Sequence, residues 1–317
     1  MKITEHLSRA EKTLFSFEVL PPLRGQSIHS LYEHMNPLME FNPPFVDVTY
    51  HREEYVYKKR ENGLLEKVSV RKRPGTVGIC AAIKNRYNVD AVPHIICGGF
   101  TKSETENALI DLDYLGIDNV LVLRGDPIKS EARFVPEAEG HHYAIDLVRQ
   151  VKCMNKGIYL HEEMENSAPS NFCIGIAGYP EKHEEAPNLL ADVRHLKAKV
   201  EAGADYVVTQ MFFDNSKFIR FVEMCREAGI TVPIIPGLKP ITVKRQLAVL
   251  PKIFHIDIPE ELLIELENCK NDAAAKQIGI EWAIKQSKEL MEWGVPCLHY
   301  YSMGKSDSVY SIAKEMF

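Results

Sequence analysis

Val120-Leu121-Val122-Leu123-Arg124-Gly125-Asp126-Pro127 joins four apolar residues to an arginine, a glycine, a carboxylate and a proline. An unbroken apolar run without polar alternation is the pattern of a strand covered on both faces, as in a parallel sheet. Arg124, Gly125 and Asp126 then fall at the carboxyl end of that strand, where α/β folds bind their ligands. An aspartate at such a place can equally cap a turn. The deciding observation is that several other strands of this chain end in the same way.

Working outward, residues 14–20, 45–49, 92–97, 172–177, 206–210, 232–238 and 297–301 also read as strands. Helical patterns lie between them, over 27–41, 77–87, 101–115, 141–153, 189–202, 216–228 and 273–293, with two short helices within 242–268 split by Pro251 and Pro259. Thr101 and Glu104 have the spacing of a capping box. The segment 50–73, which carries Lys58-Lys59-Arg60 and Arg71-Lys72-Arg73, is expected to be a solvated charged loop. Residues 127–171 are expected to hold an insertion, loop-like over 162–170.

One joint recurs. Gly116, Gly203, Gly229 and Gly294 each follow a helix and precede a strand, the place of a left-handed helix cap, so one βα unit is being repeated. Eight strands alternating with helices predict an α/β fold of the (β/α)8 TIM barrel type, a single domain over 1–317 with an insertion after the fourth strand. The alternative is an open doubly wound sheet. It is disfavoured because no G-x-G-x-x-G follows a strand.

Composition narrows the partners. A formal charge of -6 with 45% hydrophobic and 26% charged residues describes a globular chain without a nucleic-acid or anionic-membrane surface. Small-molecule ligands are expected, with no nucleic acid and no membrane; a homo-oligomer is compatible with the sequence but no motif encodes one. Seven cysteines without a CxxC pair signal neither disulfides nor zinc and fit a reducing cytoplasm. There is no signal-peptide pattern and no uncharged apolar run of the ~20 residues needed to cross a bilayer.

In a barrel, the strand ends gather Glu18, Thr49, Tyr50, His94, Arg124 to Asp126, Tyr179, His183 and Gln210. This set has no serine nucleophile elbow, no H-E-x-x-H and no strand lysine for a Schiff base. No metal is expected. Two carboxylates, Glu18 and Asp126, suit acid/base work beside a cationic intermediate. On these residues alone the substrate stays open.

Six ordered motifs carry the reading further. They are Phe15-Ser16-Phe17-Glu18 with Pro21-Pro22, Asp47-Val48-Thr49-Tyr50, Pro93-His94, Leu123-Arg124-Gly125-Asp126, Tyr179-Pro180-Glu181-Lys182-His183 and Thr209-Gln210-Met211-Phe212-Phe213-Asp214. Together they resemble methylenetetrahydrofolate reductase, in the compact bacterial form that has only the catalytic barrel. The resemblance implies non-covalent FAD, NADH or NADPH as electron donor, and reduction of 5,10-methylenetetrahydrofolate to 5-methyltetrahydrofolate in one-carbon metabolism and methionine biosynthesis. It implies Glu18 as the acid that protonates the departing N10 and Asp126 as the carboxylate that stabilises the cation. By the same carry-over Thr49, Tyr50, His94, Arg124, Gly125, Asp126, Ala144, Tyr179, His183, Ala186, Asp192, His195 and Lys199 line FAD. Gln210, Gln246 and Lys305 reach the substrate.

The pattern also departs from the family. Val19-Leu20 replaces the usual aromatic pair before the prolines, and His51 stands where glycine is common. Leu250 replaces an aromatic ring, and Lys305 replaces an arginine, giving a point charge without a bidentate fork. His195 and Ala198 offer weaker contacts to the FAD phosphates and ribose. Two rival readings are an FAD-independent pterin barrel, doing methyl transfer or condensation, and a non-catalytic binding subunit.

Overall fold

The computed structural model describes residues 1–128, 130–160 and 167–317. In it the opening stretch is a strand whose two faces are both covered. Val120 and Val122 pack outward with the helix residues Leu109, Leu112 and Leu147. Leu121 and Leu123 point the other way, into a second cluster with Phe45, Val92, Tyr206, Val208 and Ile235.

In chain order the strands are β1 (Leu14–Val19), β2 (Phe45–Val48), β3 (Glu54–Lys59), β4 (Leu65–Val70), β5 (Asp90–Ile96), β6 (Asn119–Leu123), β7 (Cys173–Gly178), β8 (Tyr206–Thr209), β9 (Ile234–Ile235), β10 (Gly237–Leu238) and β11 (Cys297–Tyr301). Among the described residues, nine of them form one sheet in the order β10-β11-β1-β2-β5-β6-β7-β8-β9, every pairing parallel. β9 and β10 are two halves of one strand on either side of Pro236, which has no N–H to give a ladder. The first half pairs with β8 and the second with β11, so the sheet closes on itself at this seam. With helices between successive strands the result is the expected TIM barrel.

The repeated joint has the predicted geometry. Gly116, Gly203, Gly229 and Gly294 have φ of 64°, 120°, 85° and 93°, the left-handed region a glycine enters most easily. Thr101 and Glu104 form the reciprocal capping box, and the helix Lys102–Tyr114 begins there. The side chains that face the barrel interior follow strand parity. Ser16 and Glu18 on β1, Phe45 and Asp47 on β2, and Cys297, His299 and Tyr301 on β11 alternate with outward residues such as Phe17, Val46 and Tyr300 of the outer cluster.

The structure corrects the sequence reading in three places. Residues 54–70 are not a charged loop but the antiparallel hairpin β3–β4. Its signal was Asn62-Gly63, with Gly63 at φ 82°, between alternating Tyr55/Tyr57 and Glu66/Val68. Second, a helix, Ile3–Arg9, precedes β1 where no helix was expected. Ile3 is fully buried against Phe45, Val92 and Tyr206, and its N–H donates to Asn119 Oδ1 at 2.8 Å, so the helix plugs the amino-terminal end of the barrel. Burying such a side chain contributes roughly 1.5–3 kcal/mol. Third, Pro251 does not separate two helices; it lies inside Gln246–Phe254, ahead of Glu260–Asn268.

The insertion after the fourth barrel strand is a long connection. It leaves β6 at Arg124 and reaches the barrel helix Ala144–Met154. Of the loop expected over 162–170, residues 162–166 lie outside the described residues. No helix among the described residues is long and apolar enough to cross a membrane.

Candidate active site

Glu18 is a buried acid at the barrel mouth. It is the penultimate residue of β1, with 8% of its surface exposed, and its Oε1 accepts a hydrogen bond from the Thr49 hydroxyl at 2.5 Å. His94 Nε2 stands 3.5 Å from Glu18 Oε2 and 3.7 Å from Asp47 Oδ2. Burial works against the imidazolium of His94, but Glu18 and Asp47 together outweigh it and raise its pKa from the ordinary value. Lys239, also 8% exposed, follows β10. Burial lowers its pKa to about 8, with Glu18 pulling in the opposite direction.

At the carboxyl ends of β6 and β7, three and four strands round the barrel from Glu18, lies a cavity of about 510 Å³, within the usual size of a small-molecule site. Arg124, Ala144, Tyr179, His183, Ala186, Asp192, His195 and Lys199, eight of the residues expected around FAD, line it together. Lys199 donates from Nζ to the Ala177 carbonyl at 3.0 Å, and burial lowers its pKa to about 8. Asp192 accepts from the His183 backbone N–H, while the Glu185 N–H donates to His183 Nδ1, so the neutral ring carries its proton on Nε2. The His183 ring meets Tyr179 edge to face at 4.9 Å. The loop that turns these residues inward bends at Lys182, a non-glycine with φ 82°.

Arg124 is held at the cavity's rim by both nitrogens, to Glu185 Oε2 at 2.6 Å and Oε1 at 3.0 Å. Gly125, at φ 85°, lets the chain turn there, and a Cβ would meet Ile96 at 3.3 Å. Asp126 beyond it is exposed and raises the pKa of the buried Tyr179 hydroxyl, after the larger effect of burial. Tyr50 and His94 line a second, smaller recess with Arg71, Thr76 and Phe100. The cavity's wall combines apolar surface and ring donors with two cations, Arg124 and Lys199, and two carboxylates, Asp192 and Glu185, groups of the kind that meet the diphosphate and the ribose hydroxyls of a dinucleotide such as FAD.

The residues expected to reach substrate are less concentrated. Gln210 follows β8, and its Oε1 accepts from the Met211 N–H at 2.9 Å, which leaves its amide N–H groups to donate. Gln246, the first residue of its helix, braces the turn before it, its Oε1 accepting from Thr242 N at 2.7 Å and Val243 N at 3.2 Å. Lys305 is exposed beyond β11. Glu18 lies on β1 and Asp126 follows β6, three strands further round the sheet, so the two expected catalytic carboxylates occupy separate parts of the mouth.

The sequence profile of methylenetetrahydrofolate reductase matches residues 2–316. This chain belongs to the methylenetetrahydrofolate reductase family. It is 31% identical over 300 residues to the 5,10-methylenetetrahydrofolate reductase of Salmonella typhimurium, covering 94% of this chain and 88% of that one. With the Buchnera aphidicola 5,10-methylenetetrahydrofolate reductase it shares 31% over 314 residues, covering 98% and 94%. Against the Arabidopsis thaliana methylenetetrahydrofolate reductase (NADH) 1 it shares 32% over 325 residues, 98% of this chain but 50% of the relative. The chain thus spans about half the length of its eukaryotic relatives. A structure of an uncharacterized Clostridium thermocellum protein that binds two copies of 5-methyl-5,6,7,8-tetrahydrofolic acid superposes over 99% of this chain and 98% of that one, with a TM-score of 0.59. At 14% identity that likeness is one of fold.

Within this reductase-family barrel, several site residues escaped the sequence reading. Asp47 belongs to one of the six motifs but was not expected in the site, yet it is fully buried beside His94. Its signal was present: a carboxylate at inward parity between Phe45 and Thr49 in an otherwise apolar strand. His299 at the middle of β11 and Lys239 just after β10 likewise sit at inward positions. Glu185, which clamps Arg124 from 61 residues away, left no signal in the sequence.

Proposed function

We propose that this chain is an FAD-dependent oxidoreductase that reduces 5,10-methylenetetrahydrofolate to 5-methyltetrahydrofolate with NADH or NADPH, serving one-carbon metabolism and methionine biosynthesis in the cytoplasm, the whole chain acting as one catalytic unit. The observation that carries this reading is a cavity at the carboxyl ends of β6 and β7 lined by eight of the residues expected around FAD, on the same face of the barrel as the buried acid Glu18 held by Thr49.

When bound, FAD would supply the two-electron chemistry that links the nicotinamide to the one-carbon unit. Lys199 and Arg124 would face its diphosphate and ribose arm, with Ala144, Tyr179, His183, Ala186, Asp192 and His195 shaping the rest. Thr49, Tyr50, His94, Gly125 and Asp126 would border the ring system. Opening of the folate imidazolidine ring requires a proton at N10, and Glu18 is the group positioned to give it. Thr49 fixes the orientation of that carboxyl group. Asp126 would stabilise the iminium cation by its charge. Gln210 and Gln246 would donate amide N–H bonds to the pterin, and Lys305 would meet the carboxylates of the folate tail.

The visible spectrum of the purified protein tests the reading. A yellow protein that releases FAD on acid treatment, is bleached anaerobically by NADH or NADPH and recovers colour with methylenetetrahydrofolate is the expected result. A colourless protein that does not bind added FAD overturns it and favours the FAD-independent pterin barrel.

A further inference from the structure

Asp47 is the least accommodated charge in the barrel. It is fully buried at an inward position of β2, and neither carboxylate oxygen accepts a hydrogen bond. Barrel interiors are ordinarily filled by branched apolar side chains, and a buried carboxylate is costly without a partner. Its neighbour is His94 on β5, whose enclosed Nε2 also has no hydrogen-bond partner. Glu18 on β1 stands opposite Asp47 in register. The two carboxylates therefore converge on one imidazole nitrogen, at 3.5 Å and 3.7 Å.

The surroundings are polar but, among the described residues, carry no second cation below the mouth. His299 on β11 bonds Ser16 Oγ through Nδ1 at 2.9 Å, and burial lowers its pKa, so it stays neutral. The Tyr206 hydroxyl on β8 and the thiols of Cys80 and Cys297 all have raised pKa values, chiefly from burial, and remain protonated. Tyr301 donates its hydroxyl to the Thr209 carbonyl. From the mouth side, His51 and Lys239 face Glu18, each with a pKa lowered by burial.

We propose that Asp47 is a positioning residue for the proton donor: it holds His94 as an imidazolium, and the Nε2–H of that imidazolium restores the proton that Glu18 gives up in each turnover. This rests on the folate reduction proposed above. In the step itself the Glu18 O–H bond breaks as the N10–H bond forms, leaving a carboxylate. The His94 Nε2–H bond then breaks as the Glu18 O–H bond re-forms. His94 takes its proton back from solvent between turnovers. The hydride electron pair from NAD(P)H ends in the new methyl C–H bond, so each cycle consumes one NAD(P)H and one solvent proton.

The test is Asp47→Asn in the FAD-loaded enzyme, following flavin reoxidation by methylenetetrahydrofolate against pH in stopped flow. Loss of a neighbouring carboxylate lowers the His94 pKa, so the alkaline limb of this half-reaction moves down by about one pH unit or more. The pH profile of flavin reduction by NADH, which draws no proton from Glu18, shifts by less. An unmoved limb, even with a lower rate, overturns the proposal and leaves Asp47 a structural residue. If the parent is not reoxidised by methylenetetrahydrofolate at any pH, the functional reading fails instead. The carboxylate and imidazole pairing is then judged by 15N-histidine NMR of the parent, with His94 assigned by its loss in His94→Gln. Titration above the ordinary value of 6.5 supports the pairing, and a neutral His94 at that pH overturns it. The parent measurement needs no variant at position 47 to fold.

Discussion

Thr49 Oγ1 donates to Glu18 Oε1 over 2.5 Å, across the gap between the ends of two neighbouring strands. The same hydroxyl lies 3.2 Å from the Val19 carbonyl, so Thr49 ties the acid to the backbone of its own strand. A carboxyl group fixed in this way has one oxygen occupied and the other turned towards His94.

Glu18→Gln separates the half-reactions. The amide keeps the size of the side chain but has no proton to give, and nicotinamide-to-flavin transfer needs none on folate. FAD binding and reduction by NADH or NADPH are expected to stay near the parent. Reoxidation by methylenetetrahydrofolate should fall by ~10²-fold to 10⁴-fold, the cost of losing a positioned general acid. Stopped-flow flavin absorbance measures both, and parental reoxidation would remove Glu18 from the acid role.

Asp126→Asn removes a charge from an exposed position on the other side of the mouth. If that charge steadies the iminium cation, the folate half-reaction slows by at least ~10-fold, about 1.4 kcal/mol of transition-state stabilisation. Reduction of the flavin should change much less. Equal losses in the two steps, measured in the same stopped-flow series, would assign Asp126 to holding the flavin.

Lys199 sets a pH dependence. Its pKa is lowered from 10.5 to about 8, so between these values the folded protein binds fewer protons than the unfolded chain. Stability gains from this group as pH rises through that window, because the cost of burying its charge disappears. FAD affinity runs the opposite way, since a diphosphate prefers the charged ammonium. Fluorescence titrations should show FAD binding weakening by roughly 10-fold from pH 7 to pH 10, equivalent to one unit of pKa rise on binding. Lys199→Met should abolish that slope; a slope that survives would place the titrating group elsewhere.

Gly175 tests the barrel interior. A Cβ there would lie 2.3 Å from the Tyr206 ring, and both residues are buried. Gly175→Ala is therefore expected to cost about 1–3 kcal/mol through overpacking. Urea unfolding should show a lower midpoint with an unchanged slope. An unaltered midpoint would mean that the Tyr206 ring has room to move aside.

The sequence by itself determined the barrel and its direction. Four apolar residues before Arg124, repeated at other strands, and glycines after four helices are local patterns that the backbone imposes wherever a strand is covered twice or a helix must stop. The strand-end residues were legible for the same reason, because position along a strand fixes which end a side chain occupies. Tertiary structure alone decided which of them meet. Pro236 splits a strand so that its halves pair with different neighbours, and the amino-terminal helix plugs a hole that exists only once the ring has closed. Arg124 finds Glu185 across 61 residues of chain, while Asp47 and Glu18 converge on His94 because β2 lies between β1 and β5. Strand order and register are set by the packing of the whole ring, and no local pattern of residues contains them.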